Sequence, residues 1–329
     1  MRKLLLITSV LFAILLLAGC EPLLGARNLD EGICWYADSQ LGWVAKISAQ
    51  GDRILLRYMD VDTPVALAAV PFDGSVWICD TGAHEIVHVD LSGNTLKRVT
   101  GFVTPTGIAV DPLEETVWVI DSVTKRLTKV SPRGSIWDYY DGLTNPQAIA
   151  MDNLTSEVWV ADGANGLLKF DIDANPVIHV TGLGFAADVS TDVDDGRVYV
   201  ADPPGNKVYC LNPSGELLWV YTGAGETTPL VRPTKVQAAP SDTVWILETD
   251  AHCIRRISAN GQVNLASRAT LSAPVCLAMN WSREELWLGD VEKHRVVRND
   301  KGGVAKSWTG GLGSPVSLSI YDPNLERKE

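Results

Sequence analysis

The chain is short of basic residues. Lysine and arginine number 28 against 40 aspartates and glutamates, a formal charge of −12. No basic stripe is available to displace counterions from phosphates, which argues against a nucleic-acid partner. Catalytic signatures are missing as well. There is no GxSxG elbow, no HExxH and no phosphate loop; Gly223–Gly225 is too short and lacks the Lys-Ser/Thr that would follow. None of the six cysteines sits in a CxxC pair, so the common redox and zinc spacings are absent. The apolar run Leu4–Leu17 is short for a spanning helix.

What is present is a repeat. Aromatic residues at Trp35, Trp77, Trp118, Trp159, Tyr199, Trp245 and Trp287 are spaced by 42, 41, 41, 40, 46 and 42 residues. Three places after each stands an acid: Asp38, Asp80, Asp121, Asp162, Asp202, Glu248 and Asp290. Sixteen places after each stands a glycine (Gly51, Gly93, Gly134, Gly215, Gly261, Gly303), except in the fourth copy. There Asn175 replaces it, the other residue tolerant of positive φ. A period near 41 with several short β-favouring runs per unit predicts a β-propeller.

Each unit reads as four strands, a to d. Strand a opens with Pro64, Pro105, Pro146, Ala186, Pro233, Pro274 or Pro315. Proline suits a first strand position, where no ladder donor is needed. Strand b carries the tryptophan, strand c follows the acid, and strand d follows the glycine turn. The chain enters at a strand b, Ile33–Asp38, and leaves with a lone strand a, Pro315–Tyr321. The expected fold is therefore all-β: a seven-bladed propeller of four-stranded antiparallel blades over 33–322. It is closed by pairing the C-terminal strand, about 315–321, with the N-terminal blade, and leaves 323–329 as a polar tail.

The motif P-x-G-I-A-V-D with V-W-V-x-D, best seen in Pro105–Asp111 and Val117–Asp121, resembles the NHL-repeat propellers. Asn206-Lys207-Val208 and His294-Arg295-Val296 carry the second half of that pattern. The resemblance covers about Ile33–Asp322. It implies the fold, and a range of functions that includes ligand-binding sensors, protein- and RNA-binding platforms, lyases and hydrolases. Function on such a scaffold is decided by its loops.

The N-terminus reads as a targeting segment. Arg2 and Lys3 precede the apolar run, and Leu17-Ala18-Gly19-Cys20 resembles a bacterial lipobox. That resemblance implies removal of residues 1–19, lipidation of Cys20 and a tether over 20–32. The lipid bilayer is then a partner, since each buried CH₂ of an acyl chain contributes about 0.8 kcal/mol. An uncleaved anchor and an ordinary signal peptide are the alternatives. Glu21 does not resemble the Asp inner-membrane retention signal, which favours an outer-membrane location. Cleavage removes 19 of 329 residues and takes the charge from −12 to −14. Five cysteines remain: Cys34, Cys79, Cys210, Cys253 and Cys276. All fall in or beside predicted strands, as buried small hydrophobes rather than a disulfide framework.

The seven acids read as repeat furniture that accepts N–H bonds in the following loop, rather than as a metal ring. His84, His252 and His294 fill the slot that holds Asn206 elsewhere, and a three-histidine metal site is not expected. No metal, cofactor or catalytic residue is assigned. Departures from the repeat are more informative. Two places into strand a the residue is small at Ala66, Gly107, Ala148, Cys276 and Ser317, but is Asp188 and Lys235 in adjacent copies. The longest inserted connection, Thr222–Arg232, lies nearby, and Glu248 and Asp250 distinguish the same blade. A ligand site built from Asp188, Lys235, Arg232 and Glu248 is expected at that mouth of the channel. The alternative is a compensating ion pair between Asp188 and Lys235. The function expected is a membrane-anchored, non-catalytic binding or scaffold module for an envelope protein or small ligand. A metal-dependent lactonase or lyase with a channel-mouth site is the second reading.

Overall fold

The computed structural model describes residues 32–226, 229–258, 260–267 and 271–324, with backbone alone for 263–267. Cys20, the 1–19 segment and the tail from 325 lie outside the described residues. Seven four-stranded antiparallel sheets form the blades, and the described residues include no helix. The innermost strands are Pro64–Ala69, Pro105–Val110, Ala148–Asp152, Asp188–Thr191, Pro233–Ala239, Pro274–Asn280 and Pro315–Tyr321. Where proline opens the strand, the ladder to strand b slips by one residue just after it, as between Pro64 and Ala66. In blades 4 and 5 the strand starts two residues later than the sequence pattern places it, at Ala148 and Asp188.

Blade 1, the Trp35 blade, is built from both ends of the chain. Pro315–Tyr321 pairs antiparallel with Ile33–Asp38, with Trp35 opposite Ser319 and Tyr36 opposite Leu318. Closure leaves no long inner edge exposed to pairing with another chain.

Each strand-b aromatic belongs to a core cluster that joins its own blade to the following one. Trp35 lies against Val76 and Ile78 of blade 2, and Trp118 against Val158 and Val160 of blade 4. Trp287 closes the circle on Cys34 and Tyr36. A buried indole removes roughly 200 Å² from water, on the order of 5 kcal/mol before entropic costs. A second repeat feature accompanies it. The cross-strand partner of each tryptophan is a basic residue: Lys46, His88, Lys129, Lys169, Arg256 and Arg298. Four of these cations lie over their ring at 5.2–5.7 Å, and His88 stacks on Trp77 at 4.4 Å. The four heads then donate to a carbonyl in the c–d turn of the next blade: Leu91, Ile172, Pro213 and Lys301. One side chain thus covers the indole face and ties two blades.

The acid ending strand b ties a different pair of segments. Asp121 accepts N–H bonds from Val123 and Thr124 in the loop that follows, at 3.0 and 2.9 Å. It also accepts from Val103 and Thr104 in the connection before its own blade, at 2.6 and 2.9 Å. Asp80, Asp162 and Asp290 repeat the backward reach at separations of 17 and 18 residues. Asp38 makes the same reach across the chain ends, to Gly313 and Ser314. The sequence reading placed these bonds only in the following loop; the preceding connection is stapled as well.

Six b–c turns carry a left-handed residue seven places after the aromatic: Gly42, His84, Lys125, Asn206, His252 and His294, with φ between 50° and 64°. The three histidines are therefore turn residues. His84 and His294 meet the carbonyls of Val103 and Gly313 in the next blade's entry loop. Blade 4 departs, because its b–c turn is one residue shorter: Ala161 pairs with Leu167 where the equivalent Cys79 pairs with Ile86. Everything downstream shifts by one. The positive φ expected at Asn175 falls instead on Ala174, at 59°, and Asn175 donates to Asp171. Cys34, Cys79, Cys210, Cys253 and Cys276 are all buried, and none forms a disulfide among the described residues.

Burial pushes the Asp121 carboxyl up, but the four N–H bonds outweigh it and leave its pKa below the ordinary value. A depressed carboxyl stabilises the fold fully above the unfolded pKa of about 3.9 and loses that contribution as pH falls through the folded value. Asp121→Ala is expected to lower unfolding free energy by about 3 kcal/mol or more at pH 7. Urea titrations at pH 7 and pH 3 check this, with the difference from wild type shrinking at the lower pH.

Candidate functional site

The seven inner strands enclose a central cavity of about 400 Å³. Its wall follows from the residues two and four places into strand a. In blades 2, 3 and 4 these are Ala66 and Ala68, Gly107 and Ala109, and Ala148 and Ala150. In blades 5, 6 and 1 they are Asp188 and Ser190, Lys235 and Gln237, and Ser317 and Ser319. At these two positions one arc of the wall is small and apolar and the other polar, although Thr106, Gln147 and Asn153 add polar side chains to the first arc.

Part of that polar arc serves the fold. An innermost strand has an open edge whose N–H groups need acceptors. Ser317 and Ser319 accept from Leu67 and Ala69 of the next blade, at 3.2 and 2.8 Å. Asp188 and Ser190 do the same for Val236 and Ala238, at 2.9 and 3.0 Å. Asp188 is thus the counterpart of Ser317, with a charge added. Its other oxygen accepts from Lys235 Nζ at 2.9 Å, across the boundary between blades 5 and 6. The Lys235 side chain remains 37% exposed while that of Asp188 is 10% exposed. These two are the only charged side chains lining the cavity among the described residues. The carboxylate beside it raises the Lys235 pKa, whereas burial pushes the Asp188 carboxyl up.

Cys276 occupies the equivalent place in blade 7, its Sγ 3.3 Å from the Pro315 carbonyl. Room for it comes from Gly289 on the paired strand, where a Cβ would stand 2.5 Å from the sulfur. Burial pushes the Cys276 thiol up to about 12, so it stays protonated despite Lys235 nearby.

Of the four residues expected to form one site, Asp188 and Lys235 come together and the other two do not join them. Arg232 is exposed, pairs with Asp250 at 3.1 Å and gives its backbone N–H to Asn206. Glu248 is buried and fills the repeat's stapling position, accepting from Val231 N–H at 2.7 Å. Its extra methylene reaches Arg255 Nε at 2.8 Å. Arg255, which the sequence reading passed over, is 2% exposed in its side chain. It also binds Tyr221 Oη at 3.1 Å and Glu226 Oε2 at 2.8 Å, drawing the start of the long connection onto blade 6. Tyr221 is accordingly internal. Of the outer-strand aromatics, Trp137, Tyr139 and Trp308 are exposed, each beside a cation: Lys129, Arg126 and Arg295.

Removing one partner of a buried ion pair strands the other charge. Arg255→Met should destabilise the fold by about 3–5 kcal/mol. Adding Glu248→Gln should recover part of that loss. Chemical denaturation of the single and double variants checks both.

No family model matches the chain, and no curated protein matches it. Solved structures do. A functionally unknown protein from Desulfotomaculum acetoxidans DSM 771 superposes with a TM-score of 0.74 at 14% identity, covering 89% of this chain and 99% of that one. A streptogramin B lyase superposes with a TM-score of 0.68 at 19% identity, covering 79% and 87%. Hydrazine synthase from Kuenenia stuttgartiensis superposes with a TM-score of 0.68 at 15% identity, covering 80% and 91%. At these identities the likeness establishes a β-propeller and leaves the activities with those proteins.

Proposed function

We propose that this propeller is a non-catalytic binding module of NHL-repeat type, tethered to the bacterial envelope through lipidated Cys20. Its small ligand is held in the central channel at the Lys235–Asp188 pair. One observation carries the reading: a partly exposed ammonium lines a cavity of about 400 Å³ whose facing wall sets Ala66, Gly107, Ala148 and Ala150 beside the polar Thr106, Gln147 and Asn153. Concave space with a few convergent polar groups is the usual form of a small-molecule site. The outer face, where Trp137 and Tyr139 stand exposed, is the surface available to an envelope protein.

The lyases that share the ring raise the enzyme alternative. A channel-mouth metal would need several carboxylate, Asn or His side chains converging at the strand-a openings. Those positions hold Ala66, Gly107, Ala148, Cys276 and Ser317 beside the single pair, which supports binding over metal chemistry.

Two measurements test the parts separately. Cys20→Ser should move the protein from the membrane pellet to the soluble fraction on cell fractionation. In a thermal-shift screen of small molecules, hits on the parent should lose most of their shift with Lys235→Met. Hits that survive the substitution unchanged would place the ligand elsewhere.

A further inference from the structure

We infer that the channel selects an uncharged ligand: a small neutral molecule carrying a carbonyl or hydroxyl oxygen that accepts from Lys235, with anionic analogues rejected by Asp188. This rests on the reading of the channel as a ligand site and adds the chemical class.

The argument begins with the donors. An ammonium has three N–H groups. Among the described residues that of Lys235 gives one to Asp188 Oδ1 at 2.9 Å. The remaining two belong to a side chain that is 37% exposed and lines the cavity. The other polar side chains of that arc are already engaged with the fold. Ser190 and Ser317 accept inner-edge N–H groups, Gln237 donates to the Ala238 carbonyl, and Cys276 donates to the Pro315 carbonyl. Lys235 is left as the one cation lining the cavity among the described residues, and it offers donors only; Thr106, Gln147 and Asn153 on the facing arc can meet further polar atoms of a guest.

Charge then narrows the class. A lone buried ammonium would recruit a carboxylate. Here the carboxylate is already built in, hydrogen-bonded on one oxygen by Lys235 and on the other by Val236 N–H. The pair is neutral as a unit. A second carboxylate at Lys235 would lie close to Asp188, inside a chain of net charge −12. It would also lose its hydration on entering a cavity walled by Leu67, Ile108 and Ile149. A neutral acceptor incurs neither cost, and its body can lie against Ala66, Gly107 and Ala148.

Four equal-length probes separate the outcomes: octan-2-one, octan-1-ol, octanoate and octylammonium, titrated calorimetrically into the mature protein. The ketone and alcohol should bind at least tenfold more tightly than octanoate, and octylammonium should bind weakest. Asp188→Asn keeps an acceptor for Val236 N–H and leaves Lys235 uncompensated. It should raise octanoate affinity at least tenfold and reverse the order. Lys235→Met should abolish that gain and weaken the ketone, with circular dichroism confirming that both variants fold. If the wild type prefers octanoate, or Lys235→Met binds the ketone as well as the parent does, the inferred class is wrong while the channel site stands. If none of the four binds, the channel reading itself is overturned.

Discussion

The ring depends on a carboxylate at the end of each strand b. A blade is a flat element that must be held at a set angle to its neighbours, and its entry loop is the piece most able to drift. The acid prevents this by gathering N–H groups from two loops that are distant in sequence, as Asp121 does with Val103, Thr104, Val123 and Thr124. The bonds are charge-assisted and sheltered, which makes each stronger than a neutral pair. Because Asp38 does the same with Gly313 and Ser314, the join between chain ends is made by the same device as the other boundaries.

With entry loops pinned at one face, the opposite face is tied by cations. Lys46, Lys129, Lys169 and Arg256 each cover their tryptophan and donate to the following blade's c–d turn. The blades are thus fastened at both ends and packed between. Inner strands join that packing through Leu67, Ile108, Met151 and Leu318, and Asp188, Ser190, Ser317 and Ser319 add acceptors between them. The positions two places into strand a hold Ala66, Gly107, Ala148, Asp188, Lys235, Cys276 and Ser317, so the channel wall differs between arcs while the ring is kept.

The repeat was legible because each of its positions answers to a local physical demand. Tryptophan fills the inter-blade gap, the acid accepts loop N–H groups, and glycine or another left-handed residue turns the chain. Reading failed where one unit broke step. A single residue lost from the blade 4 turn moved the left-handed position from Asn175 to Ala174, which fixed offsets from Trp159 could not show. Reading failed again at Glu248, which looked like a departure near a site. It is the same staple lengthened to meet Arg255, and the two lie on facing strands where sequence spacing alone gives no hint of a buried charge. The cation eleven places after most tryptophans was present in the sequence and would have revealed the inter-blade ties.

Blade number, strand order and the closing of the ring by its two ends were set by the sequence itself, since they follow from a periodic pattern of local preferences. Only the tertiary structure decided which polar residues meet. Asp188 and Lys235 are 47 positions apart and join because neighbouring inner strands bring equivalent positions side by side. Arg232 and Glu248, nearer in sequence to Lys235, are carried away from it by the turn of the blade and by stronger partners of their own. A contact between blades depends on the angle and register of two sheets, quantities that no single stretch of chain contains.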